Sequence, residues 1–316
     1  MRNPICGVTE GVGMMDGAGQ QVDGANVSFE FFPPKGLAAE RAVMTGSHAL
    51  RHLKPVAHSV TCAAGSEDAG PEMFDDTLVW SRMLQSLTGV PSAAHVPLSI
   101  FGRDALERAL DALEVEEIDR IVLLRGDAGT GADCFAGYGS VAEALAAIKR
   151  KRRFDVGVAA YPEVHPKAAS PTADLDVLLA KIDAGADRII TQYFFEEGDF
   201  LRLRDAVERA RPRAVLTAGI MPVRDFARIA RFSERCGAGI PDWMRRDFDS
   251  IADDREASSD MARRLICRQV EGLAREGVRD IHIYTLNRVD LAADAVRAFR
   301  SACPPPQRED RQRLSA

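Results

Sequence analysis

Hydrophobic and polar positions along this chain follow two alternating periods. Short runs rich in β-branched and aromatic residues have the two-residue period of a strand, and each is followed by a segment with the period of an amphipathic helix. The predicted strands are Val27–Phe32, Ala57–Cys62, Ala94–Leu98, Arg120–Arg125, Asp155–Tyr161, Arg188–Phe194, Ala214–Ala218 and Asp280–Leu286. The predicted helices cover 38–52, 72–88, 103–115, 140–150, 172–184, 198–209, 222–235 together with 257–275, and 289–299.

This succession of strand–helix units predicts an α/β fold, a single-domain (β/α)8 barrel of the TIM type. A doubly wound open sheet is the competing arrangement. Residues 26–302 form the predicted barrel, with an elaborated seventh unit. The Gly-rich segment 1–25 and the polar segment 303–316 lack periodicity, and we expect both to be flexible tails.

Composition narrows the classes of function. The chain has 41 Lys and Arg against 47 Asp and Glu, for a net charge of −6. This mild acidity argues against nucleic-acid or membrane-surface binding, which usually needs a basic face. No apolar run in the sequence is long enough to span a membrane. The 6 cysteines are dispersed without a C-x-x-C pair, so neither a metal site nor a disulfide framework is indicated. We therefore expect a cytoplasmic protein.

The first predicted strand carries an unusual carboxylate. Its period places Ser28 and Glu30 on one face, and Phe29 and Phe31 on the other. A carboxyl group among aromatic side chains is expensive to bury unless it is paired or protonated. Glu30 is therefore either a general acid that keeps its proton near neutral pH, or a core residue paired with an arginine of a neighbouring strand.

Further polar residues lie where predicted strands end, which is the active-site end of such barrels. Asp127 follows Gly126, and this glycine allows close backbone approach by a flat or phosphate-bearing ligand, although a plain turn has the same composition. The segment Tyr161–Pro166 is rich in charged, aromatic and imino residues. Asp174 and Lys181 are seven residues apart on the next helix, which places them two turns apart on one face. They are either solvated surface charges or side chains that reach over the strand ends.

Two polar side chains close the later strands. Gln192 lies within an apolar run, and its amide can donate to and accept from a heterocycle edge. Arg288 follows the eighth strand and offers a guanidinium group for carboxylate recognition.

Eight segments, in this order, resemble the 5,10-methylenetetrahydrofolate reductase family over roughly residues 26–300. They are Ser28–Lys35 (SFEFFPPK), Leu124–Asp127 (LRGD), Ala159–Pro166 (AAYPEVHP), Ala173–Ala186 (ADLDVLLAKIDAGA), Ile190–Phe195 (ITQYFF), Gly219–Val223 (GIMPV), Ile240–Met244 (IPDWM) and Tyr284–Arg288 (YTLNR). The resemblance implies a (β/α)8 barrel of the bacterial type, without a regulatory domain.

The resemblance also implies a flavoprotein, in which FAD takes hydride from NADH or NADPH and passes it to the folate substrate. The implied catalytic residues are Glu30, as general acid, and Asp127. Implied flavin contacts are Thr61, Ala64, His95, Arg125, Gly126, Asp127, Tyr161, His165, Asp174 and Lys181. Implied substrate contacts are Glu30, Asp127, Gln192, Phe232 and Arg288. The family forms homo-oligomers, and its reaction can run as reduction, toward methionine synthesis, or as oxidation of methyl groups.

Several positions depart from the family pattern, mostly near the implied flavin site. They are Cys62–Ala64, His95–Leu98, Ala128–Gly131, Val177, Ala180 and Arg228. They motivate one alternative, a divergent enzyme that passes hydride directly from NAD(P)H to folate. The other alternative is a folate-binding subunit without turnover, against which the intact Glu30 argues.

Overall fold

A computed structural model of the chain describes residues 24–62, 70–127 and 135–304. Within these ranges, parallel strands follow one another in chain order around a closed barrel, and the last strand pairs with the first. The strands are β1 Asn26–Phe31, β2 Ala57–Val60, β3 Ser92–Pro97, β4 Arg120–Leu124, β5 Asp155–Ala160, β6 Arg188–Tyr193, β7 Leu216–Ile220 and β8 Asp280–Tyr284. The predicted (β/α)8 barrel is confirmed, and the open sheet is wrong.

Helices surround this barrel and cover its outer face. They are α1 Leu37–Leu50, α2 Phe74–Thr88, α3 Arg103–Val115, α4 Val141–Lys151, α5 Pro171–Asp183, α6 Glu197–Ala210, α7 Phe226–Cys236, α8 Asp242–Asp249, α9 Arg255–Arg275 and α10 Ala292–Ala302. None of the helices in these ranges combines the length and apolarity that a membrane span needs.

Local side-chain chemistry fixes where several helices begin. Ser140, Ser170 and Asp225 each accept a hydrogen bond from the backbone N–H three residues later, at the starts of α4, α5 and α7. Asp254 does the same for α9. Such caps satisfy N–H groups that have no partner inside the helix, and each stabilises it by about 1 kcal/mol.

The seventh unit differs most from its prediction. Its first helix begins at Phe226, not at 222, because Asp225 caps it there. An additional helix, α8, lies between the two predicted ones. Its apolar contacts come from Trp243, Met244 and Phe248, which are too few to show a helical period.

Every predicted strand has at least one boundary that moved by one or two residues. β2 ends at Val60 instead of Cys62, because β1 runs into Pro33 and Pro34 and proline cannot donate to a ladder. β7 begins two residues later than predicted, at Leu216. The predicted tails fall outside the described residues except for 24–25 and 303–304, so their flexibility stays a prediction.

The two faces of β1 have opposite surroundings. Phe29 and Phe31 point outward and pack with residues such as Val43 and Phe299 under the helices. Ser28, by contrast, reaches His282 across the interior face of β8. The outer layer is therefore the apolar core, and the interior of the barrel carries polar groups.

His58 is a polar exception within the outer layer. Its ring centroid lies 6.2 Å from that of Phe29 and 5.4 Å from that of Phe31. Neither ring nitrogen has a hydrogen-bond partner among the described residues. Burial lowers the pKa of His58 from 6.5 to about 4, so the folded protein holds this imidazole neutral.

His58 should make the protein acid-sensitive. In the unfolded chain, His58 becomes protonated as the pH falls below about 6.5. In the folded chain, it stays neutral until the pH approaches about 4. Its contribution to stability is therefore complete above about pH 6.5 and is lost as the pH falls. The loss should reach about 2 kcal/mol by about pH 5.

Urea unfolding of the wild type and of His58→Phe at about pH 8 and about pH 5 measures this loss. We expect the free energy of unfolding to fall by about 2 kcal/mol more in the wild type. His52→Gln, at an exposed histidine, serves as the control and should follow the wild type. An equal fall in His58→Phe would show that His58 does not titrate as described.

Candidate active site

The carboxyl group of Glu30 lies inside the barrel and is nearly sealed from solvent. The residue is 6% exposed, and its Oε2 lies 3.4 Å from Nε2 of His95 in β3. The same oxygen lies 3.5 Å from Nε2 of His282 in β8. In the described part of the chain, its partners are thus two imidazoles and not the arginine that the ion-pair alternative required.

The two imidazoles have different roles around this carboxyl group. Burial lowers the pKa of His95, partly opposed by Glu30 and reinforced by His282, so His95 is a neutral ring. His282 is held by hydroxyl groups on both sides. Its Nδ1 lies 2.7 Å from Oγ of Ser28, and its Nε2 lies 3.4 Å from Oγ of Ser59.

The turn after β4 is closely packed against the segment after β3. Gly126 has a φ of +87°, in the left-handed region, and a Cβ there would lie 2.1 Å from Oγ of Ser99. The backbone N–H of Ser99 also donates to the carbonyl of Arg125 over 2.8 Å. Asp127 follows as an exposed side chain at the rim. Glycine is therefore required at 126 both by backbone conformation and by space.

Side chains of α5 reach over the end of β5. A carboxylate oxygen of Asp174 accepts from the backbone N–H of His165 over 3.0 Å. Nζ of Lys181 donates to the carbonyl of Ala159. The ring of His165 also meets that of Tyr161 edge-on, with centroids 4.4 Å apart. Four predicted site residues are thus brought together, and Asp174 and Lys181 are not free surface charges.

This corner of the site is strongly desolvated. Burial lowers the pKa of Lys181 from 10.5 to about 8, partly opposed by Asp174. Burial also raises the pKa of Tyr161 to about 12, and the charge of Asp127 adds to the shift. A buried ammonium group that is easily deprotonated gains from an anionic partner, since an opposite charge favours its protonated form.

Aromatic rings form the wall from β6 to α7. The rings of Tyr193 and Phe232 are stacked, with centroids 6.0 Å apart. The hydroxyl group of Tyr284 donates to the carbonyl of Thr191 over 2.7 Å. Gln192 follows Thr191 in β6, and its Oε1 accepts from the backbone N–H of Tyr193 over 3.0 Å. Gln192 and Phe232 are therefore set in a rigid wall at the mouth.

The loop after β8 is tied to the end of β1 by Asn287. The N–H of Phe32 donates to Oδ1 of Asn287 over 2.8 Å, and Nδ2 of Asn287 donates back to the carbonyl of Phe32 over 3.0 Å. Asn287 and Leu286 both have positive φ, which asparagine tolerates better than most residues. This loop carries the exposed Arg288 at the rim, apart from the buried acid.

Three residues of this site were missed by the sequence analysis: His282, Tyr284 and Asn287. The strand β8 has a polar or aromatic residue at every second position, Asp280, His282 and Tyr284, which is the signal of an inward-facing polar row. This pattern in the sequence could therefore have indicated His282 and Tyr284 as site residues. Nothing local marks Asn287, because its partner lies 255 residues earlier in the chain.

Buried polar atoms without partners collect near the C-terminal ends of β2 and β3. Among the described residues, Oγ1 of Thr61 and Oγ of Ser99 have no hydrogen-bond partner, and Nε2 of His95 has only its 3.4 Å contact with Oε2 of Glu30. Buried polar groups are nearly always hydrogen-bonded, so such a cluster indicates the position of a polar ligand. Ala64, another predicted flavin contact, lies outside the described residues.

A buried acid beneath an aromatic and cationic mouth, at the C-terminal ends of the strands, defines a (β/α)8-barrel enzyme. Comparison with known proteins makes the class specific. The chain belongs to the methylenetetrahydrofolate reductase family, because the family profile described as Methylenetetrahydrofolate reductase matches residues 18–299.

Individual relatives agree with this membership. The 5,10-methylenetetrahydrofolate reductase of Escherichia coli (strain K12) is 37% identical over 267 residues, covering 84% of this chain and 88% of the relative. That of Pectobacterium carotovorum subsp. carotovorum is 37% identical over 270 residues, covering 84% and 87%. The structure of an uncharacterized protein from Clostridium thermocellum, which binds two copies of 5-methyl-5,6,7,8-tetrahydrofolic acid, superposes with a TM-score of 0.57. At 16% identity over 88% of this chain and 94% of that one, it supports the fold alone.

Gly126→Ala should destabilise the protein through both backbone strain and a clash. A left-handed alanine costs about 1–2 kcal/mol, and overpacking against Ser99 adds about 1–3 kcal/mol. Gly89→Ala is the matched control, because Gly89 has a φ of +69° with nothing within 4 Å of its added Cβ. Urea unfolding should show the larger loss of stability for Gly126→Ala.

Combining Gly126→Ala with Ser99→Gly separates the two effects. The double variant should lose less stability than the sum of the single variants, since the Ser99 side chain no longer blocks the new Cβ. Strict additivity would rule out the clash as the reason for glycine at this position.

Proposed function

We propose that this protein is a flavin-linked 5,10-methylenetetrahydrofolate reductase. It would use FAD, with NADH or NADPH as electron donor, to convert 5,10-methylenetetrahydrofolate to 5-methyltetrahydrofolate. The observation that carries the proposal is the sealed Glu30 carboxyl group between two imidazoles, beneath the open end of a barrel of this family. A cytoplasmic location stays an expectation from composition, and a homo-oligomeric state stays an expectation from the resemblance.

The chemistry explains why such an acid is needed. The bridge between N5 and N10 of the substrate must open to an N5 iminium cation before hydride can attack its carbon. Opening requires a proton on N10, and a positioned carboxylic acid can supply one. Glu30 is 6% exposed, so its proton would be directed to a bound ligand and not to bulk water. The carboxylate of Asp127 at the rim would favour the cation electrostatically.

The residues present fit a flavin. The hydroxyl groups of Thr61 and Ser99 have no hydrogen-bond partner in the described residues, and a polar ligand would satisfy them. Lys181 provides a buried cation for an anionic group such as a phosphate. The chemistry that FAD supplies when bound is the relay of hydride from the nicotinamide to the folate.

The substrate contacts follow the geometry of the wall and the rim. Gln192 offers an amide for the edge of the pterin, and Phe232 offers a ring face for the aminobenzoyl group. Arg288, exposed at the rim, offers a guanidinium group for the glutamate carboxylates. These groups would orient the folate, while Glu30 holds the reacting proton.

A second candidate, direct hydride transfer without flavin, draws support from Cys62. The family usually has tyrosine here, whereas the Cys62 thiol is turned to the carbonyl of Met73 over 3.6 Å. Burial raises the pKa of this thiol, so it stays a neutral group beside the implied flavin site.

The visible spectrum of the purified protein distinguishes these candidates. The proposal predicts a flavin band near about 450 nm that bleaches with NADH or NADPH in the absence of oxygen and returns with 5,10-methylenetetrahydrofolate. Failure to take up FAD, with nicotinamide-dependent folate reduction intact, would favour direct transfer. Folate binding without any turnover would indicate a binding subunit.

Flavin affinity should fall at alkaline pH through Lys181. In the free protein its pKa is about 8, so the ammonium form is lost as the pH rises through that value. A bound phosphate raises the pKa of Lys181. At pH values between the pKa of the free protein and that of the complex, the dissociation constant of FAD should rise up to tenfold per pH unit. Fluorescence titration of the apoprotein with FAD from about pH 7 to about pH 9.5 measures this.

Two variants control this titration. Lys181→Met should bind FAD weakly at every pH, because it has no ammonium group to lose. Lys181→Arg should bind FAD without losing affinity as the pH rises through about 8, because a guanidinium group stays charged there. If Lys181→Met kept both the affinity and the alkaline loss of the wild type, Lys181 would not contact the cofactor.

A further inference from the structure

The N-terminal half of the barrel interior contains a cavity of about 40 Å³ with both apolar and polar lining residues. Its polar lining residues include Asn26, Ser28, Ser59, Asp280 and His282. Its volume exceeds the roughly 10–15 Å³ that a water molecule needs, and these polar groups can hold such a water by hydrogen bonds.

The cavity follows from the sizes of the inward-facing side chains. Barrels of this type are usually filled by layers of branched apolar residues. Here Ser28, Ala57, Ala93 and Gly157 occupy inward positions on β1, β2, β3 and β5 and line the cavity. Along β1, Asn26 and Ser28 are only partly buried, while Glu30 is fully buried. Among the described residues, partial exposure therefore extends from the N-terminal end of β1 to Ser28 and stops at Glu30.

A chain of polar atoms connects this cavity to the buried acid. Ser28 lines the cavity, and its hydroxyl group lies 2.7 Å from Nδ1 of His282. The opposite ring nitrogen, Nε2, lies 3.5 Å from Oε2 of Glu30. This last separation is long for a hydrogen bond, but catalytic contacts often shorten when the ligand binds.

We propose that Glu30 is reprotonated after each turnover from the N-terminal end of the barrel, through cavity water, Ser28 and His282. The proposal rests on the proposed function, because it concerns the proton that Glu30 gives to the folate. His282 and Ser28 are positioning residues in this scheme, since they act through Glu30 and do not touch the substrate.

The proton count balances along this route without any electron transfer. Glu30 becomes a carboxylate when its proton goes to N10 and then takes the proton from Nε2 of His282. Nδ1 of the same ring gains the proton of the Ser28 hydroxyl group, which is replaced from cavity water. Exchange with Ser28 at Nδ1 and with Ser59 at Nε2 returns the ring to its first tautomer, since both hydroxyl groups border the cavity.

The other groups facing the route are less suited to carry the proton. His95, on β3, contacts Oε2 of Glu30 over 3.4 Å, but burial keeps its ring neutral and the ring does not line the cavity. Burial raises the pKa of the Tyr284 hydroxyl group on β8 well above its usual value, and that group already donates to Thr191. At the C-terminal mouth, a bound folate and cofactor would cover Glu30 at the moment when it needs a proton.

Among the described residues, Asp155 and Asp280 are carboxyl groups that line the cavity at its N-terminal end. Asp155 is held by both Arg188, at 2.9 Å, and Arg120, at 3.8 Å. Asp280 instead accepts from the amide of Asn26 over 2.9 Å. Burial raises the pKa of Asp280, opposed by Asn26 and Arg188, so this carboxyl group is suited to exchange a proton with cavity water.

Three substitutions test the route far from the cofactor site. Ser28→Ala removes the hydroxyl link, Ser28→Thr restores it, and Ala57→Val fills the cavity without changing a polar atom. Thr217→Val is the matched control, because Thr217 lines the same cavity but makes no contact with His282 in the described structure. Melting temperatures establish that each variant is folded.

The measurement is rapid mixing of each holoenzyme, with the two halves of the reaction followed separately. Bleaching of the flavin band by NADH should be unchanged in all variants, because it needs no proton from Glu30. In repeated turnover, methylenetetrahydrofolate reduction should slow about tenfold to hundredfold in Ser28→Ala and Ala57→Val, whereas a first turnover that starts with Glu30 protonated should keep the wild-type rate. Its solvent deuterium isotope effect should rise in both variants. Ser28→Thr and Thr217→Val should match the wild type.

A second readout does not depend on turnover. Nitrogen NMR of the histidine side chains should show that Ser28→Ala shifts the Nδ1 signal and the tautomer ratio of His282, whereas Thr217→Val leaves both unchanged. Wild-type rates and isotope effects in Ser28→Ala and Ala57→Val would overturn the relay. A wild-type protein that does not reduce the folate at all would overturn the proposed function itself, which is a different result.

Discussion

The burial of one carboxyl group is the constraint on which the rest of the site depends. Removing Glu30 from water is unfavourable unless neighbouring groups compensate. His95 and His282 approach the same carboxylate oxygen from β3 and β8, so strands on both sides of β1 must keep their register. The closed barrel supplies that register, because β1 pairs with both β2 and β8.

The two ends of the barrel interior have different physical character. At the C-terminal end, aromatic rings and a desolvated Lys181 create a water-poor mouth that suits flat and anionic ligands. At the N-terminal end, small and polar side chains leave space that suits water. Glu30 lies at the boundary between them, where one proton can be exchanged with either side.

Local periodicity was sufficient to predict the barrel. Each strand carried its own two-residue pattern, and each long helix its own apolar face, so no knowledge of tertiary contacts was needed. The helix α8 escaped this approach because it is too short to show a period. The start of α7 moved for a local reason, the cap that Asp225 forms.

The chemistry of the site was only partly predictable. The isolated position of Glu30 could be seen from its own strand, but its partners could not. Ser28 and His282 are 254 residues apart in sequence, and only closure of the barrel brings them together. The cavity likewise arises from small residues on several strands, none of which is conspicuous alone.

The most direct test of the account is the effect of Glu30→Gln on the two halves of the reaction. The substitution keeps the shape of the side chain and removes its acidic proton. The account predicts that NADH oxidation with an artificial electron acceptor and folate binding persist, while methylenetetrahydrofolate reduction falls by about 10²–10⁴-fold. Folate reduction at the wild-type rate would contradict the assignment of Glu30 as the proton donor.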